Sequence, residues 1–305
     1  MSVPRVYFVT YNFLSCGSVF TDGLAHAAQD LGIEYASDCW DAHDLEQQIA
    51  AFAPSLILVV HGRRFAQRFQ NFDQLRAPVA VWLLDEPYEV DECKSWSHRF
   101  DHVFINDPAT LHCHQEASYL PVCYDQRRHR PGLGTLTHEV GFIGGGNPAR
   151  ERVLGALARA NRLSYVVGGP WADPAVDRLC VSPNIPPDLT VALYQKTRIV
   201  VNVYREVHHW NFSHIPATSL NPRVYESLAC GALVVSEWRP ELDTLVPDLP
   251  TFRTPEECVE VVGLLLDHPD VAENIRATCA ARLAEHTYAA RLMTVMVEMG
   301  VEVAA

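Results

Sequence analysis

The chain predicts two doubly wound α/β domains in tandem, and three features point that way. Continuous apolar runs of strand length alternate with stretches of helical periodicity, the pattern of parallel strands covered by helices on both faces. The alternation stops in a polar stretch at 124–137, with Arg127, Arg128, Arg130, Pro131, Gly132 and Gly134, and then starts again. The length of 305 residues is near or above the roughly 250–300 at which single cores divide. A first domain over 1–130 and a second over 131–305 follow.

In the first series the candidate strands are 6–9, 33–36, 56–60, 79–84 and 103–105, each a short β-rich apolar run. Helical patterns fall at about 18–31, 43–52, 63–74, 89–98 and 108–116. The second series opens with a strand at 140–143, a glycine-rich turn, a helix over 148–160 and a strand at 164–167. A helix at 188–196, a strand at 199–203, a helix at 222–229, a strand at 233–236 and helices from 255 onward complete it. The last helices, 270–284 and 287–299, have no strand after them and are candidates to pack back across the domain junction.

Composition narrows the function classes. With 48% hydrophobic and 20% charged residues the chain has apolar side chains enough for a sizeable core. No apolar run approaches the ~18 residues of a membrane-spanning helix. The opening MSVPRVYFVTYNF has neither a basic start nor a small-residue cleavage site, so no secretory signal is expected. Nine scattered cysteines with no CxxC pair read as reduced thiols, and together these features place the chain in the cytoplasm. Thirty-seven acids against 24 bases give a net charge of −13, which repels nucleic acid and anionic membrane unless basic residues gather locally.

The stretch Asn221-Pro222-Arg223-Val224-Tyr225-Glu226 reads as a sharply started helix. Asn221 suits the cap and Pro222 the first helical position, while Gly231 suits the turn that ends it. A helix N-terminus offers unpaired N–H groups to a phosphate, and Arg223 adds a charged fork. Glu226, three residues on, shares that face and suits paired ribose hydroxyls. A surface Arg–Glu pair on a capped helix is the competing account. The run Gly144-Gly145-Gly146-Asn147 follows a strand and precedes a helix, the setting in which a backbone approaches phosphate closely, or simply a tight turn.

NPRVYESLACGALVVSEW at 221–238 resembles the donor-site helix and strand of GT-B glycosyltransferases, most closely the CgeB-like group with its N-x-R-x-[FY]-E-x-x-A-C-G pattern. HEVGFIGGGNPARER at 138–152 is similar to that group's opening strand and glycine turn, DLTVALYQKTRIVVNVY at 188–204 to its asparagine-bearing strand, and HTYAAR at 286–291 to its closing HTY-x-x-R. The resemblance implies a GT-B fold with a cleft between two Rossmann-like domains. It also implies a metal-independent, retaining transfer from a nucleoside diphosphate sugar, UDP or GDP being the expected nucleotide. By the same analogy Glu226 holds the ribose, and Arg223 and the Gly144–Asn147 turn face the diphosphate, with Asn221, Tyr225 and Arg205 as further donor-site candidates. The sequence departs from the pattern of retaining enzymes at Thr218, where an acid is usual eight residues before the ribose glutamate.

In the first domain, where the resemblance implies the acceptor binds, His61 and Gly62 end one predicted strand, Asp85-Glu86-Pro87 the next and Asn106-Asp107 a third. Asp85 and His61 at adjacent strand ends are candidates for a general base or for hydrogen bonds to a sugar, with helix capping as the alternative, especially for Asp107 before Pro108. The turn 11–18 is a further ligand-facing candidate. His112-Cys113-His114 with Cys123, and His208-His209 with His214, supply metal-ligand types without zinc spacing, so no metal is expected. Trp210 and Phe212 in the loop 208–214 suit either a sugar-covering or a packing role. Two other functions stay open from sequence, a catalytically silent nucleotide-sugar-binding module and a nucleotide-sugar epimerase. The acceptor is a small molecule, polysaccharide or protein rather than nucleic acid.

Overall fold

The computed structural model describes residues 3–11, 16–206 and 209–302. It separates into two compact units, one of Met1–Asp125, Val207–Ser219 and Thr287–Ala305, the other of Gln126–Glu206 and Leu220–His286.

The first unit has six strands: β1 (Arg5–Thr10), β2 (Glu34–Cys39), β3 (Leu56–Val60), β4 (Val79–Leu83), β5 (His102–Ile105) and β6 (Ala117–Tyr119). All pair in parallel, in the order β2-β1-β3-β4-β5-β6. Every residue of β3 and β4 is buried, which is why these runs are uniformly apolar. Helices α1 (Cys16–Asp30), α2 (Leu45–Phe52), α3 (Arg63–Arg68) and α4 (Val90–Cys93) connect the strands. One face packs Phe8, Leu58 and Trp82 against Leu24 and Ala28 of α1; the other packs Tyr7, Val59 and Val81 against Ile49 and Phe65.

The second unit repeats the plan with β7 (His138–Ile143), β8 (Tyr165–Val167), β9 (Cys180–Ser182), β10 (Thr197–Asn202), β11 (Leu233–Glu237) and β12 (Thr251–Phe252), ordered β12-β11-β10-β7-β8-β9 and parallel throughout. Its helices are α5 (Pro148–Arg159), α6 (Pro174–Asp177), α7 (Pro187–Tyr194), α8 (Pro222–Ala229), α9 (Leu242–Leu245), α10 (Pro255–Asp267) and α11 (Pro269–Arg282). Proline at the first helical turn starts α5, α6, α7, α8, α10 and α11, where a missing N–H costs nothing. The last helix, α12 (Tyr288–Glu298), lies in the first unit and packs Tyr288, Leu292, Val295 and Met296 into its core.

The division differs from a single break at 130. Residues after Asp125 join the second unit because they bond there: the Arg130 carbonyl accepts from Gln195 Nε2 at 2.8 Å, and the Thr137 N–H donates to the Lys196 carbonyl at 2.9 Å. The stretch before Leu220 returns to the first unit through two buried or half-buried acids. Asp107 accepts from the Thr218 and Ser219 N–H groups at 2.7 and 2.9 Å, and Asp91 from the Ser213 N–H at 2.8 Å and its hydroxyl at 2.7 Å.

The structure departs from the sequence expectation in three helices and three short strands. The helix expected at 63–74 ends with α3 at Arg68, and a separate 3-10 turn follows at Asp73–Leu75. The helix expected at 89–98 is α4 plus a 3-10 turn at Ser97–Arg99. The one at 108–116 is a 3-10 helix, Pro108–Cys113, after which the chain extends into β6. Strands β6, β9 and β12 were not expected, being only 3, 3 and 2 residues long.

Candidate active site

In doubly wound sheets the connections on either side of the first strand leave in opposite directions, opening a crevice at the carboxyl ends there. In the second unit this switch point lies between β7 and β10, which pair directly. Arg223, in the first turn of α8, lies across it. Its Nε donates to the Ile143 carbonyl at the end of β7 (2.8 Å), and its Nη1 donates to Asn202 Oδ1 at the end of β10 (2.6 Å). The guanidinium lies 4.9 Å from the Phe142 ring centre, and a side chain on Gly144 would sit 2.6 Å from Nη2. Arg223 therefore lies against the glycine turn, at the carboxyl ends of β7 and β10.

Asn202 organises this corner. It is fully buried, donates to Ser236 Oγ at 2.9 Å, and accepts from Asn221 Nδ2 at 2.9 Å as well as from Arg223. Asn221 occupies the cap position of α8 but makes no capping bond through its side chain, because its amide is turned to Asn202. Its buried Oδ1 has no hydrogen-bond partner among the described residues.

The glycine turn is packed against a second glycine turn. The N–H of Gly144 donates to the Val167 carbonyl (2.9 Å) and that of Gly146 to the Gly169 carbonyl (3.2 Å). A Cβ on Gly146 would lie 1.9 Å from the Pro170 carbonyl oxygen, and one on Gly168 would lie 2.0 Å from that of Gly144. Packing alone thus demands glycine at 146. Gly145 differs, since its nearest neighbour would be 4.0 Å away. Asn147 caps α5 by accepting from the Arg150 N–H at 3.0 Å.

Arg150, which sequence reading did not single out, belongs to the same corner. Its Nε donates to the Val203 carbonyl (3.1 Å), its Nη1 to the Gly145 carbonyl (2.8 Å), and its guanidinium lies 5.5 Å from the Phe142 ring centre. Its signal was available: an arginine in the first turn of the helix that the glycines open. Glu226 lies one turn beyond Arg223 in α8, its carboxylate 4.0 Å from Nε2 of the buried His129. Tyr194 lies close enough that burial, and then the Glu226 charge, push its hydroxyl far above the usual tyrosine value. Arg205 is half-buried just past β10. Tyr225 is fully buried, its ring 5.6 Å from His286, because Val224, Tyr225, Ser227 and Leu228 form the inward face of α8.

In the first unit the switch point lies between β1 and β3, and here too candidate residues meet. His61 follows β3 with a left-handed φ of 68°, and its Nε2 lies 3.4 Å from Asp85 Oδ2 beyond β4. Glu89 joins them, the three ligand atoms lying within 4.8 Å of one another. Tyr11, after β1, packs its ring 5.4 Å from that of His61 and accepts from the Arg64 N–H at 2.6 Å. Burial pushes its hydroxyl above the usual value, against the opposing charges of Arg64 and Arg63. The rest of the turn 11–18 falls largely outside the described residues, at 12–15.

Among the described residues, this is the one grouping of three His, Cys, Asp or Glu side chains close enough to share a metal ion. The charges of Arg63 and Arg64 act on the neighbouring Tyr11, and Arg63 pairs with Glu92 at 3.0 Å. The histidines at 112–114 do not converge: His112 meets Cys113, while His114 faces Ser97 at 2.9 Å and Glu86 at 3.5 Å, and Cys123 belongs to the core. His208 lies outside the described residues. Trp210 is fixed by backbone bonds to Tyr88 and Asp91 and by the Arg63 guanidinium 4.5 Å from its ring, whereas Phe212 is exposed. Asp107 caps the turn after β5 through the Ala109 N–H, the alternative role foreseen for it, and also ties down 218–219.

The fold is shared with proteins of known structure. Residues 150–297 match the family model "Glycosyl transferase-like". The spore protein CgeB of Bacillus subtilis is 23% identical over 253 residues, 76% of this chain and 79% of that protein. Among solved structures, the sucrose-phosphate synthase of Thermosynechococcus elongatus superposes with a TM-score of 0.67 at 11% identity, covering 98% of this chain and 99% of its own. Anabaena HepE, solved with UDP and glucose, gives 0.66 at 11% identity over 96% and 99%. An α-glucosyltransferase solved with UDP-glucose and DNA gives 0.69 at 9% identity over 98% and 99%.

Proposed function

We propose that this chain, a CgeB-like glycosyltransferase of the GT-B fold, takes its sugar from a uridine or guanosine diphosphate donor held by the second unit, without a metal ion, and passes it to an acceptor held by the first. The observation that carries the donor side is Arg223 spanning β7 and β10 against the glycine turn, with Glu226 one turn further along the same helix.

Departure of the nucleoside diphosphate leaves growing negative charge on its phosphates, and fixed donors aimed at that charge are the usual largest source of rate. Arg223 is such a donor, already oriented by two hydrogen bonds and a ring, so little reorganisation is needed during reaction. Arg150 is held in the same way, by the Val203 and Gly145 carbonyls. Glu226 suits the paired ribose hydroxyls, which a carboxylate accepts in bidentate fashion. That HepE and the α-glucosyltransferase were solved with UDP or UDP-glucose supports a uridine nucleotide first.

The test is a thermal-shift series with UDP, GDP, dTDP, ADP and CMP, since a ligand of the folded state alone raises its stability. One nucleoside diphosphate is expected to raise the Tm. Glu226→Ala is expected to weaken that nucleotide about 10- to 100-fold, the equivalent of one charge-assisted hydrogen bond. No shift at millimolar nucleotide would remove the donor assignment. Sugar transfer or donor hydrolysis by the purified protein would remove the silent binding module.

A further inference from the structure

The stretch expected to join the two domains is folded onto the second unit from Gln126 onward. Residues 128–132 lie along α7 and the end of α8. Arg128 Nε lies 3.5 Å from Asp188 Oδ1 in the first turn of α7, and the Arg130 carbonyl accepts from Gln195 Nε2 at 2.8 Å where that helix ends. The Cys230 thiol, just past α8, meets the Arg130 backbone. The approach is close: a Cβ on Gly132 would lie 2.8 Å from Gln195 Cβ, and one on Gly231 would lie 3.6 Å from Pro131.

This attachment carries His129 inward. It is 4% exposed, the one buried residue of 126–137, and its Nε2 lies 4.0 Å from Glu226 Oε1. The Glu226 side chain is itself only 15% exposed. Among the described residues its carboxylate accepts no hydrogen bond and has no other ion-pair partner. Tyr194 and Cys230 also lie near it, their hydroxyl and thiol pushed up by burial and then by the Glu226 charge. Arg223, one turn earlier in α8, is directed away, at the Ile143 carbonyl and Asn202. A carboxylate so placed has lost hydration, and an imidazole beside it compensates by turning an N–H toward it. At 4.0 Å the imidazole attracts the carboxylate without bonding it, so the acceptor capacity of both oxygens is kept for a ligand.

Resting on the reading of Glu226 as the ribose ligand, we propose that His129 is a positioning residue. It holds the Glu226 carboxylate in the orientation in which the two oxygens accept from the paired 2′- and 3′-hydroxyls of the donor. The segment between β6 and β7 is thereby part of the nucleotide site of the second unit, and it sets the preference for ribonucleotides over deoxyribonucleotides. A buried histidine that only filled space would leave that preference untouched.

The experiment is calorimetric titration of the full chain with UDP, GDP and their 2′-deoxy counterparts. The better-bound ribonucleotide is expected to exceed its deoxy form by about 10- to 100-fold, the equivalent of one hydrogen bond to a charged acceptor, and Glu226→Ala to abolish the difference. His129→Leu, which keeps bulk without a donor, is expected to lower the preference about 10-fold, and His129→Gln, which keeps an N–H donor, to retain most of it. In the wild-type protein the His129 ring signals in NMR, assigned by their loss in His129→Gln, are expected to move on adding UDP and much less on adding 2′,3′-dideoxy-UDP. That reading stands even where the leucine variant does not fold. A folded His129→Leu protein with the wild-type preference, equal losses in the leucine and glutamine variants, or ring signals that respond alike to both nucleotides would each overturn the proposal. No binding of either ribonucleotide, or a Glu226→Ala protein that keeps the preference, would instead overturn the donor reading on which it rests.

Discussion

At the scale of single residues, the three consecutive glycines show how one motif carries two demands. Gly146 is dictated by the backbone of Pro170, so Gly146→Ala is expected to destabilise the protein by about 1–3 kcal/mol, the usual cost of overpacking, measured by urea unfolding. Gly145 has open space, so Gly145→Ala is expected to leave that curve nearly unchanged while weakening nucleoside diphosphate binding. A site built only for packing would show the first effect without the second. Arg223→Ala is expected to lower turnover about 100- to 1,000-fold, the usual loss when one charge-stabilising donor is removed. Sequence made Arg223, Glu226 and the glycine turn legible because spacing along a capped helix fixes which groups share its open end. The burial of Tyr225 was not legible, since motif membership says nothing about which face of α8 turns inward. Arg150 escaped because its partners are carbonyls of residues 145 and 203, which no local pattern brings together.

At the scale of elements, the long strands and helices were readable because burial on both faces leaves an unbroken apolar run, whereas β6, β9 and β12 have 3, 3 and 2 residues and no period to detect. The excursion before Leu220 was readable only as a loop, because the acids that hold it are remote in sequence. Hydrogen bonding to Lys94 and then to Ser213 holds the Asp91 carboxyl well below the usual carboxylate range. A depressed native pKa gives stability that is present above the unfolded value and lost as pH falls toward the native one. The protection factor of the Ser213 amide in hydrogen exchange is therefore expected to fall below about pH 4, and in Asp91→Asn to be low at neutral pH already. Helix α12 has a separate dependence. A Cβ on Gly23 of α1 would lie 2.4 Å from the Tyr288 ring, which also meets Phe20 and Trp82, so the two helices touch where the glycine is.

At the scale of the whole molecule, the rhythm of the chain foretold two doubly wound sheets, but not their strand order. Order depends on which strands pair across long connections, and only the structure places Asn202 beside Ile143 and His61 beside Tyr11 at the two switch points. Charge is the other property of the whole. The fold superposes on a glucosyltransferase solved with DNA, yet this chain has a net charge of −13, and polyanion binding needs cations in excess at the contact. Such an excess is not apparent at the sites described. Arg150 and Arg223 are directed at carbonyls and the Phe142 ring, Arg239 and Arg253 at the Tyr204 and Trp238 rings, and Arg63 is paired with Glu92 at 3.0 Å. Asp85 and Glu89 occupy the ligand edge of the first sheet, where a phosphate backbone would meet like charge. Duplex DNA is therefore expected to bind more weakly than about 10⁻⁴ M at physiological salt, the weak end of non-specific association, in a fluorescence-anisotropy titration. Sugar transfer to an uncharged acceptor is expected to vary little between 50 and 200 mM salt, about the range over which a protein contacting several phosphates loses orders of magnitude in affinity. Tight DNA binding with a steep salt slope would mean that arginines now directed at carbonyls and rings turn outward in the bound state.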